Sequence, residues 1–412
     1  MRSKTKTTAK NEETRPALVP KLRFPEFRKE EGWKNTTLGD VTFKTEKRNK
    51  GGKSYPVYSI SNKTGFTPQS EQFEGVDSEK RGYDIALYKL IESKTFAYNP
   101  ARINVGSLGF SGELNNVIIS SLYVCFKTMS GAADEFLLHF FGTSDFEKSV
   151  NNHVEGGIRS YLFYENFARI GIPLPSLSEQ QKIAECLSSV DELMAAQARK
   201  VDALKTHKKG LMQQLFPGEG ETQPRLRFPE FQNAGEWELR SVSQFAKVTT
   251  GAKDTQNKVE GGKYPFFVRS QTVERIDSYS YDGEAVLTSG DGVGVGKNFH
   301  HINGKFDFHQ RVYCIYEFAE GVSGLFFYLY FSDHFGERVM RMSAKNSVDS
   351  VRMAMITEMP VLLPPLPEQQ RIASCLSSLD ALITAETQKH EALKTHKKGL
   401  MQQLFPSPEE MI

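Results

Sequence analysis

The sequence predicts an α+β chain: two α/β domains separated by two long helices that form an antiparallel coiled coil, all within a pseudo-two-fold internal repeat. Three observations predict it. Ala203–Pro217 and Ala392–Pro406 both read ALKTHKKGLMQQLFP, 189 residues apart, which marks a duplication before any element is assigned. Each copy ends a long stretch with apolar residues in 4-3 steps, the spacing of a coiled-coil seam. The segments ahead of these stretches carry short apolar runs broken by glycine and asparagine, the pattern of strands and turns.

The repeat reaches beyond the helices. Leu22–Phe27 and Leu226–Phe231 both read LRFPEF at an offset of 204, and the only tryptophans, Trp33 and Trp237, match at that offset. Tyr55-Pro56-Val57-Tyr58 resembles Tyr264-Pro265-Phe266-Phe267, with Gly-Gly-Lys just ahead of each. From Cys125/Cys314 to Cys186/Cys375 the offset is 189, so fifteen extra residues lie between Trp33 and Cys125. The scaffold is duplicated and one region in each half is free to differ. The expected order is a disordered basic tail (1–20), a first variable domain (21–174), a helical region (175–217), a linker (218–224), a second variable domain (225–363) and a second helical region (364–412).

Prolines Pro175 and Pro364–Pro367 precede Glu-Gln-Gln, where each helix opens. The first seam is Ile183, Leu187, Val190, Met194, Gln197, Val201, Leu204, Lys208, Leu211, Leu215. The second is Ile372, Leu376, Leu379, Ile383, Glu386, His390, Leu393, Lys397, Leu400, Leu404. Helices of about 37–38 residues span roughly 57 Å, and Pro217 and Pro406 stop them. Such helices need a partner for the apolar stripe, and the other copy is the nearest one. The chain crosses back between them, hence the antiparallel arrangement. Polar seam positions then fix register at some cost in stability. The lysine-rich stretches Lys205–Lys209 and Lys394–Lys398 read as solvated helix faces, with subunit docking as the second reading.

In the variable domains, Asp84–Tyr88, Ile118–Lys127, Gly283–Thr288 and Arg311–Tyr316 are strand-like. An aromatic-rich helix is expected near Asp134–Val150 and Val322–Arg341, with Phe136, Phe140, Phe326 and Tyr330 in the core.

Composition narrows the function classes. A chain of 412 residues exceeds one core. A net charge of +2 gives no global basic field, which leaves local patches. Four cysteines without a CxxC pair fit a reducing compartment and buried apolar roles. No apolar run reaches membrane length and Met1–Pro20 has no signal-peptide core, so a cytoplasmic location is expected.

Catalytic signatures fall short. Gly290–Gly296 (GDGVGVG) lacks the helix and distal acid of a phosphate loop and reads as a turn before a hairpin at Phe299–Phe308. Tyr98-Asn99-Pro100-Ala101 has Ala101 and Arg102 where an amino-methyltransferase signature needs proline and an aromatic. Asp84 with Glu92-Ser93-Lys94 has nuclease residue types without a telling spacing, and His300-His301 would point to opposite faces of a strand. The expectation is a non-enzyme with no catalytic, cofactor or metal residues.

Nucleic-acid recognition has better material. Arginine, asparagine and glutamine read purine edges, whereas lysine suits phosphate. The first domain offers Lys44, Arg48, Lys53, Ser61, Asn62, Lys63, Arg102, Asn104, Arg159 and Ser160. The second offers Lys253, Lys263, Arg269, Ser270, Gln271, Lys297, Arg311, Lys345, Asn346 and Arg352. Ser61-Asn62 and Ser270-Gln271 follow the matched Tyr-Pro strands, so one spot carries two different amides. Loops Gly156–Tyr161 and Lys345–Arg352 precede the helices at matched positions.

The alternation of two diverged domains with two near-identical helical regions resembles the specificity subunit of type I restriction–modification systems. The resemblance rests on Leu174–Gln181, on Leu363–Gln370 in looser form, and on the repeated KGLMQQLFP. It implies two target-recognition domains held apart by an antiparallel coiled coil. Each would read half of a bipartite, asymmetric double-stranded DNA site, and the helices would set the spacer. It further implies two methyltransferase subunits with S-adenosylmethionine for adenine methylation, and restriction subunits with ATP and Mg2+ for translocation and cleavage. A stand-alone DNA-binding scaffold and a self-sufficient methylase or nuclease are the alternatives.

Overall fold

The structure, a computed structural model, describes residues 18–72, 84–155, 161–218, 220–342 and 350–407. Arg159, Ser160, Lys345, Asn346 and most of the expected basic tail lie outside the described residues. The chain forms two compact units, Met1–Gln197 with Lys389–Ile412, and Ala198–Gln388. Each long helix is divided between them, so each unit is completed by the helix end of the other repeat.

Unit 1 carries β1 (Lys34–Thr37), β2 (Thr42–Thr45), β3 (Val57–Ser61), β4 (Gly65–Pro68), β5 (Lys89–Ile91), β6 (Phe96–Tyr98), β7 (Leu108–Phe110), β8 (Val117–Ile119) and β9 (Val124–Thr128). Helices α1 (Asp134–Phe140) and α2 (Ser144–His153), strand β10 (Gly171–Leu174) and the long helix α3 (Leu177–Leu215) follow. The strands form sheets of order β2-β9-β6-β7 and β4-β3-β8-β5, with β1 and β10 as a separate pair. Unit 2 carries β11 (Glu238–Ser241), β12 (Lys247–Thr250), β13 (Tyr264–Phe267), β14 (Glu274–Ile276), β15 (Tyr281–Ser289), β16 (Phe299–Phe308) and β17 (Val312–Tyr316). Then come α4 (Gly324–Met342), β18 (Pro360–Leu363) and the second long helix α5 (Leu366–Leu404). Its main sheet is β12-β17-β15-β16-β13-β14, and β11 pairs with β18.

These are one topology drawn two ways. β15 and β16 run through positions that unit 1 splits into β5 plus β6 and β7 plus β8. In both units the matched Tyr-Pro segment is the strand with a parallel neighbour: Val57 faces Ile118, and Phe266 faces Asp307. Unit 1 breaks its long strands at turns holding Lys94 (φ 55) and Gly112 and Asn116 (φ 53 and 54). Unit 2 bends without breaking at the directly paired Gly283 and Gly304, whose φ of 155° and 141° other residues rarely adopt.

Several local expectations are corrected. Asp84–Tyr88 is no strand: the Asp84 carboxylate accepts the Ala86 N–H at 3.0 Å and opens a 3-10 turn at Ile85–Leu87. Ile118–Lys127 spans β8, a turn and β9. The aromatic-rich helix of unit 1 is two helices, because Thr143 caps the Phe146 N–H at 3.2 Å, whereas α4 is continuous. Leu18, placed in the tail by sequence, is buried, and its carbonyl accepts the Trp33 N–H at 2.7 Å.

The repeated motifs turn out to be partners of one another. Arg23 of LRFPEF donates from Nε and an Nη to the Glu179 carboxylate at 2.9 and 2.7 Å, and to the carbonyls of Glu30 and Glu31 at 3.0 Å. Arg227 does the same with Glu368 at 2.7 Å for both bonds, and with the carbonyls of Ala234 and Gly235. Gln180 and Gln369 bridge the helix start to the domain, donating to Gly131 and Pro175 and to Gly321 and Pro364. The sequence places the arginine and the carboxylate more than a hundred residues apart, so their pairing was not legible there.

The identical helix ends are core plugs. In unit 2, Leu215 and Phe216 are buried against Trp237, Phe326 and Tyr330, with Phe216 at 5.7 and 5.6 Å from the last two rings. In unit 1, Leu404 and Phe405 meet Trp33 and Phe136 at ring distances of 6.4 and 5.2 Å. The Gln403 carbonyl accepts the Leu22 N–H and the Gln214 carbonyl the Leu226 N–H, both at 2.9 Å. The lysine faces just before these ends are exposed at Lys205, Lys209, Lys394 and Lys398.

Every expected seam position is buried or half-buried. In unit 1, Ile183 and Leu187 share a core with Leu400 and Leu404, while Lys397 donates to Asp191 at 2.6 Å. In unit 2, Leu211 and Leu215 meet Ile372 and Leu376, while Lys208 donates to Asp380 at 2.6 Å. Rising numbers meet falling numbers, so the helices pair antiparallel in each unit. The polar seam lysines are the register locks.

His139, on α1 beneath this pair, is buried, with its Nε2 3.2 Å from Ser188 Oγ. Burial, then the nearby Lys397 charge, pushes its pKa down to about 4. The unfolded chain therefore takes up a proton near pH 6.5 that the folded chain refuses, and stability drains as pH falls from about 6.5 toward 4. His139→Leu should flatten the loss, retaining up to roughly 3 kcal/mol at pH 4 in chemical denaturation; parallel pH profiles for the two proteins would contradict it.

Candidate nucleic-acid interface

In unit 2 the loops at one end of the main sheet converge. Lys253 follows β12, Arg269–Gln271 follow β13, Asp291 follows β15, Lys297 and Asn298 precede β16, and His309–Arg311 join β16 to β17. The Lys253 carbonyl accepts the Gln310 N–H at 2.8 Å, Asn298 Nδ2 donates to the Arg269 carbonyl at 3.1 Å, and His300 Nε2 lies 3.3 Å from the Ser270 carbonyl. The Val351 N–H donates to Gly290 at 2.7 Å and Ser350 bridges Asp291, which brings Arg352 two residues away. A Cβ at Gly290 would lie 2.9 Å from the Arg311 carbonyl, so glycine is needed for the two loops to meet. Thus Lys253, Arg269, Ser270, Gln271, Lys297, Arg311 and Arg352 come together. Lys263 does not: it sits ahead of β13 at the other end, its N–H on the Asp277 carboxylate at 3.2 Å.

Asp291, Asn298 and His309 were missed by sequence reasoning. Asp291 carries the wrong charge for a DNA contact, yet it receives Arg269 at 3.0 Å and Arg311 at 3.8 Å. His309 is buried, and its Nδ1 accepts the Arg311 N–H at 2.9 Å. Burial and then the Arg269 charge lower its pKa, so it is a neutral brace for the turn.

Unit 1 forms two groups. The β3–β4 turn presents Ser61, Asn62 and Lys63 beside the loop holding Arg102 and Asn104: Ser107 Oγ donates to the Ile60 carbonyl at 3.3 Å. The Leu162 N–H donates to Pro100 at 2.9 Å, the counterpart of Val351 on Gly290. The second group is the loop with Arg48 and Lys53. Buried Asn49 pins it by donating to the carbonyls of Lys53 and Ile85 at 2.8 and 3.2 Å, and the loop lines a shallow cleft of about 450 Å³. Lys44 is engaged elsewhere, 3.0 Å from Glu46 and 3.5 Å from Glu165. The hydrogen bond it donates to the Glu46 carboxylate raises its pKa.

The doubtful catalytic motifs are absorbed by structure. Asn99 Oδ1 accepts the Ala101 N–H at 3.0 Å and shapes its own turn. Glu92 is paired with Lys47 and Lys127, which together hold its carboxyl below the usual range. The Gly290–Gly296 loop contains only a 3-10 turn at Gly292–Gly294 before β16. Among the described residues no group of three or more His, Cys, Asp or Glu could hold a metal ion, and no helix is long and apolar enough to cross a membrane.

A duplicated α+β scaffold whose two copies share strands and helix starts but differ in the polar loops at one sheet end defines a two-module nucleic-acid-recognition protein. The chain belongs to the type I restriction modification DNA specificity domain family, whose model matches residues 30–206 and 234–395. It is 25% identical to the type I restriction enzyme MjaVIII specificity subunit of Methanocaldococcus jannaschii, over 70% of this chain and 73% of that one. Its fold is that of the type I restriction–modification S subunit from M. genitalium, at 12% identity and a TM-score of 0.61, covering 94% of this chain and 99% of that chain. A chain from a study of complex assembly and conformational transition of the type I R-M system gives a TM-score of 0.55 at 17% identity, covering 91% and 98%. The protein is a specificity subunit: it recognises DNA sequence, is not itself the catalyst, and works in a complex with other restriction–modification subunits.

Proposed function

We propose that each unit reads one half of a bipartite, asymmetric site and that the helix pair fixes the spacer. In this reading the chain directs adenine methylation by two methyltransferase subunits and cleavage by restriction subunits, in the cytoplasm. S-adenosylmethionine, ATP and Mg2+ belong to those subunits, and this chain binds none of them. One observation carries the reading: two units of one topology place different side chains at the same end of the sheet, Asn62 against Gln271 and Leu122 against Arg311. The same exposed lysines on both helices, Lys205 and Lys209 on one and Lys394 and Lys398 on the other, suit two copies of one partner.

The spacer claim has its own test. Inserting one heptad after Val201, with a matching heptad between Gln388 and Leu393, preserves the antiparallel register set by Asp191–Lys397 and Lys208–Asp380. Methylation-sensitive sequencing should then report an altered spacer between unchanged half-sites; a new half-site sequence would contradict it.

A further inference from the structure

We propose that Asp291 is a positioning residue which braces Arg269 and Arg311 as a guanine-reading pair, so that the half-site read by unit 2 contains guanine. The inference rests on the reading of unit 2 as a DNA-recognition module. Asp291 sits at the mouth of the Gly290–Gly296 loop with 21% of its side chain exposed, and its two oxygens face one arginine each, at 3.0 and 3.8 Å. The arginine side chains are 47% and 65% exposed. In each arginine the nitrogen nearest Asp291 is an Nη: Arg269 is within hydrogen-bond distance and Arg311 within ion-pair distance.

A lone exposed arginine samples many rotamers and meets phosphate as readily as a base. An arginine held by a carboxylate is ordered before DNA arrives, and its remaining N–H pair has the spacing of guanine O6 and N7. The backbone is ordered as well. His309, buried at the base of the turn, fixes the Arg311 N–H, Gly290 donates to the Arg311 carbonyl at 2.8 Å, and Asn298 fixes the Arg269 carbonyl. A carboxylate at a DNA-facing surface repels phosphate, so its presence there argues for base reading rather than backbone neutralisation.

Unit 1 lacks this device at the matching turn. Leu122 stands where unit 2 has Arg311, and it is 75% exposed. The brace is thus a property of one half-site only.

The test uses the full chain in its methyltransferase complex, with methylation mapped by sequencing across random DNA. The wild type should show a bipartite motif; without one, the reading of the units as recognition modules fails, independently of the brace. Given a bipartite motif, the unit 2 half should contain guanine, and Arg311→Ala should relax one of its positions by about 5–150-fold in preference. Asp291→Asn should relax that position, leave the unit 1 half-site unchanged, and be rescued in part by Asp291→Glu. A guanine-free unit 2 half-site, or Asp291→Asn with wild-type base preferences, overturns the proposal. A uniform fall in binding across sequences, with a salt slope reduced by about one, would also overturn it by assigning Arg311 to phosphate.

Discussion

Arg227→Met is expected to destabilise unit 2 by about 3–5 kcal/mol, because it strands the Glu368 carboxylate in the core. The two side chains are 11% and 1% exposed, and Arg227 also holds the carbonyls of Ala234 and Gly235, so one residue satisfies a carboxylate and a chain reversal. Removing both charges is a different matter: Arg227→Met with Glu368→Leu should recover much of the loss, since an apolar pair avoids the desolvation that the ion pair must offset. Unit 1 has the same device in Arg23 and Glu179, 7% and 1% exposed. Arg23→Met should therefore act on unit 1 and leave the unfolding of unit 2 in place. Chemical denaturation followed by hydrogen exchange in each unit checks both outcomes; equal loss in both units from either single variant would contradict them.

Phe405→Ala is expected to cost unit 1 about 3–5 kcal/mol through the cavity it leaves. Phe405 is 6% exposed and its ring touches Trp33, Phe136 and Phe140 at centroid distances of 6.4, 5.2 and 6.2 Å. The two tryptophans make the effect separable, because Trp33 lies in unit 1 and Trp237 in unit 2. In a Trp237→Phe background, Phe405→Ala should shift the Trp33 emission to the red and lower its unfolding midpoint. Phe216→Ala should do the same for Trp237 in a Trp33→Phe background. Unchanged emission from Trp33 would mean that the repeated helix end is not the plug of this core.

That plug also shows where sequence reasoning stopped. The identity of ALKTHKKGLMQQLFP in both copies was legible, and so were its helical nature and the seam, because periodicity is local. The reason for the identity was not. Leu404-Phe405 and Leu215-Phe216 fill cores whose other walls, Trp33 with Phe136 and Trp237 with Phe326, are distant in sequence. The same holds for Arg23 with Glu179, visible as two motifs but not as one contact. Short strands were less legible than helices: Asp84–Tyr88 has a strand's composition, and a single Asp84 hydrogen bond decides for a turn. At the candidate interface, counting basic and amide side chains found Arg269 and Arg311. It passed over Asn298 and could not find Asp291 or His309, whose roles depend on what they brace. Lys44 and Lys263 show the converse, since a suitable residue type says nothing of which end of a sheet carries it.

The central claim is that the two units read DNA independently. Its most direct measurement is the methylation motif of a chimera in which residues 240–360 are replaced by the corresponding segment of another specificity subunit, assayed with the same partner subunits. One half-site is expected to change to that of the donor while the other half-site and the spacer stay as they were. A motif altered in both halves, or in neither, would contradict it.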